Sequence, residues 1–202
     1  YHRYAELYCH SSFSFLDGAS NPEELAIRAK EVGLSALAIT DHDDFGGIVR
    51  FAYAARELQL PAIIGCELTL EDDSHLILLV ENERGYKNLS YLITQARMGA
   101  QRGSPRVLYD QLDKRSAGLV ALSGCPHGRI PSSLFSNDFE QARDVAGRLH
   151  EIFGERFYIE LWNHFSNQEA VIAKRLLELS ASMSIPWVVT NNVHYAAPDG
   201  SA

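Results

Sequence analysis

Long apolar runs are missing from this sequence. No stretch approaches the roughly 20 apolar residues that a membrane-spanning helix needs, so no membrane partner is expected. Basic charge is scarce too: 18 Lys and Arg stand against 26 Asp and Glu, for a net charge of −8. That argues against strong nucleic-acid binding by this chain alone, because such binding neutralises phosphates with Lys and Arg. It leaves open a place inside a larger DNA enzyme whose basic surface lies elsewhere. The three cysteines, Cys9, Cys66 and Cys125, are too few and too scattered for a disulfide framework, and a cytoplasmic location is expected. Neither a Walker-type glycine loop nor a Gly-x-Ser-x-Gly elbow occurs, so P-loop and nucleophilic-serine chemistry lack support. Repeats, low-complexity tracts and internal boundaries are absent as well, and residues 1–202 are expected to form a single domain.

What is present is a 46% hydrophobic chain in which short apolar runs alternate with helical periodicity. Strand-like runs lie at 4–9, 35–40, 61–67, 75–80, 118–123, 157–161 and 186–190. Helices are expected from Pro22 to Val32, Phe45 to Leu58, Gly85 to Arg97, Phe139 to Phe153 and Gln168 to Ser182. The first carries the clearest start signal: Asn21 as N-cap, Pro22 at the first helical position and Glu24 at the third. This alternation implies an α/β fold with a mostly parallel sheet. Seven strands with polar clusters after most of them suggest a barrel-like closure, with a doubly wound open sheet as the runner-up.

The chemistry sits in those strand ends. They supply His10, Asp17, Asp41, His42, Glu67, Cys125 and His194, with His75 at the opening of the fourth strand. Imidazole, carboxylate and thiolate are the ligand set for zinc, and with more oxygen donors for manganese or iron. Adjacent metals can clamp a phosphate and activate water. Each residue also has an ordinary role open to it. Asp17 can make an Asp-Gly turn, Asp41 or Asp43 can cap the Phe45 helix, and Cys125 can be a small buried hydrophobe. Strand alternation turns Cys9 and Cys66 away from their neighbours, so both read as packing. His2 and His150 read as solvated, His127 and His164 as undecided loop residues, and Phe157, Ile159 and Trp187 as core.

The ordered set Cys9-His10-Ser11, Leu16-Asp17-Gly18, Thr40-Asp41-His42, Gly65-Cys66-Glu67, His75-Leu76, Ser123-Gly124-Cys125 and Thr190-Asn191-Asn192-Val193-His194-Tyr195 resembles the PHP (polymerase and histidinol phosphatase) domain. It is most similar to the N-terminal PHP domain of bacterial DnaE-type DNA polymerase III alpha subunits, on the error-prone branch. The resemblance implies a distorted seven-stranded (β/α)7 TIM-like barrel with a site for up to three metals. Its ligands here are His10, Asp17, His42, Glu67, His75, Cys125 and His194.

This chain departs from the family pattern twice. Tyr8-Cys9-His10 stands where the family has His-x-His, and Asn192-Val193-His194 stands where many members have Asp-x-His. A phenol ligates poorly until ionised near pH 10, and an amide brings no charge to offset a dication. The expectation is one or two zinc or manganese ions, or none, on a structural or vestigial phosphoesterase supporting replication or translesion synthesis. Its partner is then the polymerase core of the same parent chain, with a phosphate or nucleotide able to enter the cleft. The alternative is an active, stand-alone metal-dependent phosphoesterase of histidinol-phosphatase, pyrophosphatase or proofreading type.

Overall fold

A computed structural model describes residues 4–14, 17–100, 104–162 and 166–196. His2 and His164, two of the histidines discussed above, lie outside the described residues. The chain divides into two compact units, 1–67 with 191–202, and 68–190. Each is taken by itself.

The first unit holds β1 (Ala5–Glu6), α1 (Pro22–Glu31), β2 (Ala36–Ile39), α2 (Ile48–Glu57) and the start of β3 (Ala62–Thr69). Its strands run parallel, Ala5 beside Ala36 and Ile39 beside Ile64. The first strand is shorter than the six residues expected. Beyond Glu6, Cys9 forms an isolated bridge with Val193, and its carbonyl accepts from Thr40 N at 2.9 Å. Helix α1 starts where the sequence signals: Pro22 leads, and the Glu24 carboxylate accepts from Asn21 N at 2.8 Å. Its buried face of Leu25, Ala26 and Ala29 packs with Phe51 and Ala55 of α2 over Leu37 and Ile39. Fully burying a side chain such as Phe51 contributes about 1.5–3 kcal/mol.

Helix α2 begins three residues later than expected. Asp43 takes a left-handed φ of 50°, and Gly46 N donates to Asp44 Oδ1, so residues 43–47 form a loop. Gly47, not Asp41 or Asp43, is the N-cap.

The second unit holds the end of β3, β4 (His75–Val80), α3 (Glu83–Gly99), α4 (Tyr109–Arg115), β5 (Leu119–Leu122), α5 (Arg129–Phe135), α6 (Phe139–Phe153), β6 (Phe157–Leu161), α7 (Asn167–Met183) and β7 (Trp187–Val189). Strand β4 runs antiparallel to β5, while β5, β6 and β7 are parallel. Phe157 and Ile159 are fully buried, as expected. Trp187 is 53% exposed, which corrects its reading as core: in the three-residue β7, Trp187 and Val189 both face outward. His150 is half-buried on α6, with Nδ1 shielded and lacking a hydrogen bond, so it is not simply a solvated surface residue. Among the described residues no helix is long and apolar enough to cross a membrane. All three cysteines are buried thiols outside any disulfide.

Candidate metal centre

In the first unit, residues 8–10 and 193 run side by side. His10 N donates to Val193 O at 2.8 Å and Val193 N to Tyr8 O at 3.0 Å. That pairing carries His194 beside His10, their rings edge to face with centroids 5.1 Å apart. Asp17 comes from the loop after β1. Its Oδ2 lies 2.5 Å from His10 Nδ1, and its Oδ1 lies 3.2 Å from His194 Nδ1. Ligand atoms of His10, Asp17 and His194 thus all fall within 4.8 Å of one another.

A second group adjoins His10 in the same unit. The β2 and β3 ends continue to pair beyond the regular strands, Asp43 N donating to Glu67 O and Glu67 N to Asp41 O. This pairing sets His42 Nδ1 3.3 Å from Glu67 Oε2, and the same oxygen is 3.4 Å from His10 Nε2. Glu67 Oε1 accepts a hydrogen bond from the Tyr8 hydroxyl. Tyr8, His10 and Glu67 are all buried.

The electrostatics follow from this crowding. Burial works against a charge on His10, but its hydrogen bond to Asp17 and the Glu67 carboxylate 3.4 Å from Nε2 outweigh it and push its pKa up to about 9. The hydrogen bond from His10 holds Asp17 below the usual carboxylate range. His42 is likewise raised: burial opposes its charge, and Asp43 and Glu67 favour it. A proton on His10 therefore supplies part of the positive charge that a dication would bring to these carboxylates. Burial pushes the Cys9 and Cys66 thiols well above the ordinary value, which suits their reading as packing residues.

The donor set fits a metal. Two imidazoles and a carboxylate converge, the donor make-up of a three-ligand zinc-type site. His10 Nε2 is buried with no well-formed hydrogen bond. Asn192 Oδ1 is also buried without a hydrogen bond, two residues from His194.

The second unit brings His75 and Cys125 together. Cys125 Sγ lies 3.6 Å from His75 Nδ1, about the separation of a thiolate and an imidazole sharing one tetrahedral zinc. The exposed His127 places its ring 5.4 Å from that of His75. Gly124, at φ +90°, makes the close approach possible, since a Cβ there would meet His75 O at 2.6 Å.

Of the seven expected ligands, the structure thus gathers five in one unit and two in the other. The residues that sequence reasoning missed are Ser11 and Ser14. Both serine hydroxyls donate to Asp41, a fully buried carboxylate that caps no helix. The one local signal was a serine-rich stretch directly after His10.

The sequence matches the PHP domain family over residues 6–164. It is 38% identical over 95% of its length to an error-prone DNA polymerase of Symbiobacterium thermophilum, and 36% identical over 98% to the DNA polymerase III alpha subunit of Treponema pallidum. The chain spans only 19% and 18% of those two relatives. Among solved structures, a Bifidobacterium adolescentis protein named for metal-dependent phosphoesterase activity matches with a TM-score of 0.64, covering 97% of this chain and 90% of its own, at 16% identity. A lesion-specific endonuclease of Pyrococcus furiosus matches with a TM-score of 0.58, covering 96% of this chain and 49% of its own, at 14% identity. These are likenesses of fold, and they bear out the expected α/β class.

Proposed function

This chain belongs to the PHP domain family, and from that premise we propose that it is a metal-holding domain of a bacterial DnaE-type DNA polymerase, retained for its architecture, with little or no phosphoester hydrolysis of its own. The polymerase setting is supported by relatives named as error-prone polymerases and polymerase III alpha subunits, of which the chain matches under a fifth. The parent chain's polymerase core is the proposed partner, in a reducing, cytoplasmic setting that suits three cysteines outside any disulfide.

One observation carries the metal reading: ligand atoms of His10, Asp17 and His194 converge within 4.8 Å of one another. In this reading those three residues hold one ion, and His42 and Glu67 supply donors for another. His75 and Cys125 are the remaining ligands of the set. The mixed nitrogen, oxygen and sulfur donors suit zinc or manganese, one or two ions per chain. A bound dication supplies charge to clamp a phosphate oxygen and acidity to its water.

The reading of weak activity rests on what surrounds that set. Tyr8 donates its proton to Glu67 Oε1, so the phenol behaves as a hydrogen-bond donor, not as a ligand. Asn192 contributes no charge. An in-line displacement draws on metals at both the attacking and the leaving oxygen, and two substituted ligands remove support for one of them.

Elemental analysis of the purified chain tests the metal half of the proposal. Between one and about two zinc or manganese ions per chain are expected, with at least one lost on His10→Ala or His194→Ala. Assay of a generic aryl phosphate with added manganese tests the other half. Negligible turnover is expected; robust turnover abolished by His42→Ala would establish the enzyme instead.

A further inference from the structure

We propose that Asp41 is the positioning residue of this site, locking the loop that follows His10 to the strand end that carries His42. The inference rests on the metal-holding reading above and names what keeps its ligands in place.

Asp41 is fully buried, yet among the described residues no Lys or Arg hydrogen-bonds to its carboxylate. Instead, three donors from one short loop converge on it. Ser11 N reaches Oδ1 at 2.7 Å, the Ser11 hydroxyl lies 2.8 Å from Oδ2, and the Ser14 hydroxyl reaches Oδ1 at 2.8 Å. A carboxylate that accepts from three donors and gives nothing back acts as a pure acceptor, which an amide cannot fully imitate.

The connections run directly to the ligands. Ser11 follows His10 in the chain, so fixing Ser11 N and Oγ fixes the exit of the His10 backbone. Ser14 Oγ, besides donating to Asp41, accepts from His42 N at 3.1 Å. One carboxylate thereby couples the two imidazoles that flank Glu67 Oε2. The packing leaves little freedom to rearrange: a Cβ on Gly47 would sit 2.9 Å from Asp41 Oδ2 and 3.1 Å from Ser11 Oγ. On the other side of the loop, a Cβ on Gly18 would meet Ser11 O at 2.1 Å, so the Asp17 turn is seated against the same residue. Partners that hold ligands in this manner tune affinity without touching the ion.

The test is calorimetric titration of zinc and manganese into metal-stripped chain, for wild type, Asp41→Asn, Ser14→Ala and Ser180→Ala. Ser180 is buried in the second unit and donates to Ile185 O at 2.6 Å, so its removal reports the cost of losing an internal hydrogen bond elsewhere. Asp41→Asn and Ser14→Ala are expected to weaken affinity about 10- to 100-fold while staying folded. Ser180→Ala is expected to lower the melting temperature and leave affinity unchanged. Should Asp41→Asn not fold, Ser14→Ala decides. Affinity within twofold of wild type in a folded Asp41→Asn or Ser14→Ala overturns the assignment.

Amide exchange in metal-free protein supplies a second readout. The Ser11 and His42 amides are expected to exchange at least about tenfold faster in Asp41→Asn, while Leu78 keeps its protection. If wild type binds neither metal, the metal-holding reading fails, and this exchange pattern alone decides whether Asp41 positions the loops. Unchanged exchange at both amides overturns it.

Discussion

Tyr8 donates a hydrogen bond from its hydroxyl to Glu67 Oε1, with both side chains buried. Residues 59 positions apart in sequence are joined at the floor of the candidate metal centre. The phenol engages one oxygen of a carboxylate whose other oxygen faces His10 and His42. Removing the donor leaves a buried acceptor without that partner. Tyr8→Phe is therefore expected to destabilise the metal-free chain by about 1–3 kcal/mol, read from urea unfolding. A loss below a few tenths would show that the contact carries no weight.

The converse substitution adds a ligand. Tyr8→His supplies an imidazole beside Glu67 where the family pattern has one, and is expected to raise the metal-to-chain ratio above that of wild type in elemental analysis. An unchanged ratio with the chain folded would mean that the phenol is not what limits occupancy.

Much of this was legible in the sequence, for physical reasons that differ from residue to residue. Helix α1 declares itself through contiguous signals, Asn21, Pro22 and Glu24, and the apolar runs at Ile39 and Leu78 mark strands without reference to anything distant. The short α4 and α5 helices leave no mark in the sequence: seven residues give two turns, too little for periodicity to show. Trp187 departs from its sequence reading because a large aromatic in a strand is usually buried, and only the finished packing shows that this one is not. The candidate metal donors were legible as a set of strand ends. The partnership of Asp41 with Ser11 and Ser14 was not, since it depends on which loop folds back over which strand.

Glu6 offers a test through pH. Burial raises its pKa above the ordinary 4.5, although Asn191 N, the Tyr4 hydroxyl and Tyr8 N all donate to the carboxyl group. A raised pKa in the folded state means that the folded chain binds this proton more tightly than the unfolded one. The stabilisation is fully present below about 4.5 and is lost as pH rises through the folded-state value. Glu6→Gln carries no charge at any pH and keeps an acceptor for Tyr8 N. Its stability is expected to improve relative to wild type as pH increases from 4 to 7, measured by urea midpoints. Parallel curves for the two proteins would contradict the shift.

Gly18 tests the seating of the Asp17 turn. An added methyl group would overlap the Ser11 carbonyl, so Ser11 and the Asp17 turn cannot both keep their places. Gly18→Ala is expected to cost about 1–3 kcal/mol by urea unfolding and to weaken zinc binding in calorimetry. Full stability with unaltered affinity would show that the turn can shift without disturbing the ligand.

The most direct measurement is anomalous diffraction at the zinc or manganese edge from crystals soaked in that ion. Expected is a peak bounded by His10, Asp17 and His194, lost in crystals of His194→Ala. Anomalous density confined to other parts of the molecule, with these three side chains still holding one another as they do here, would contradict the metal centre and the function built on it.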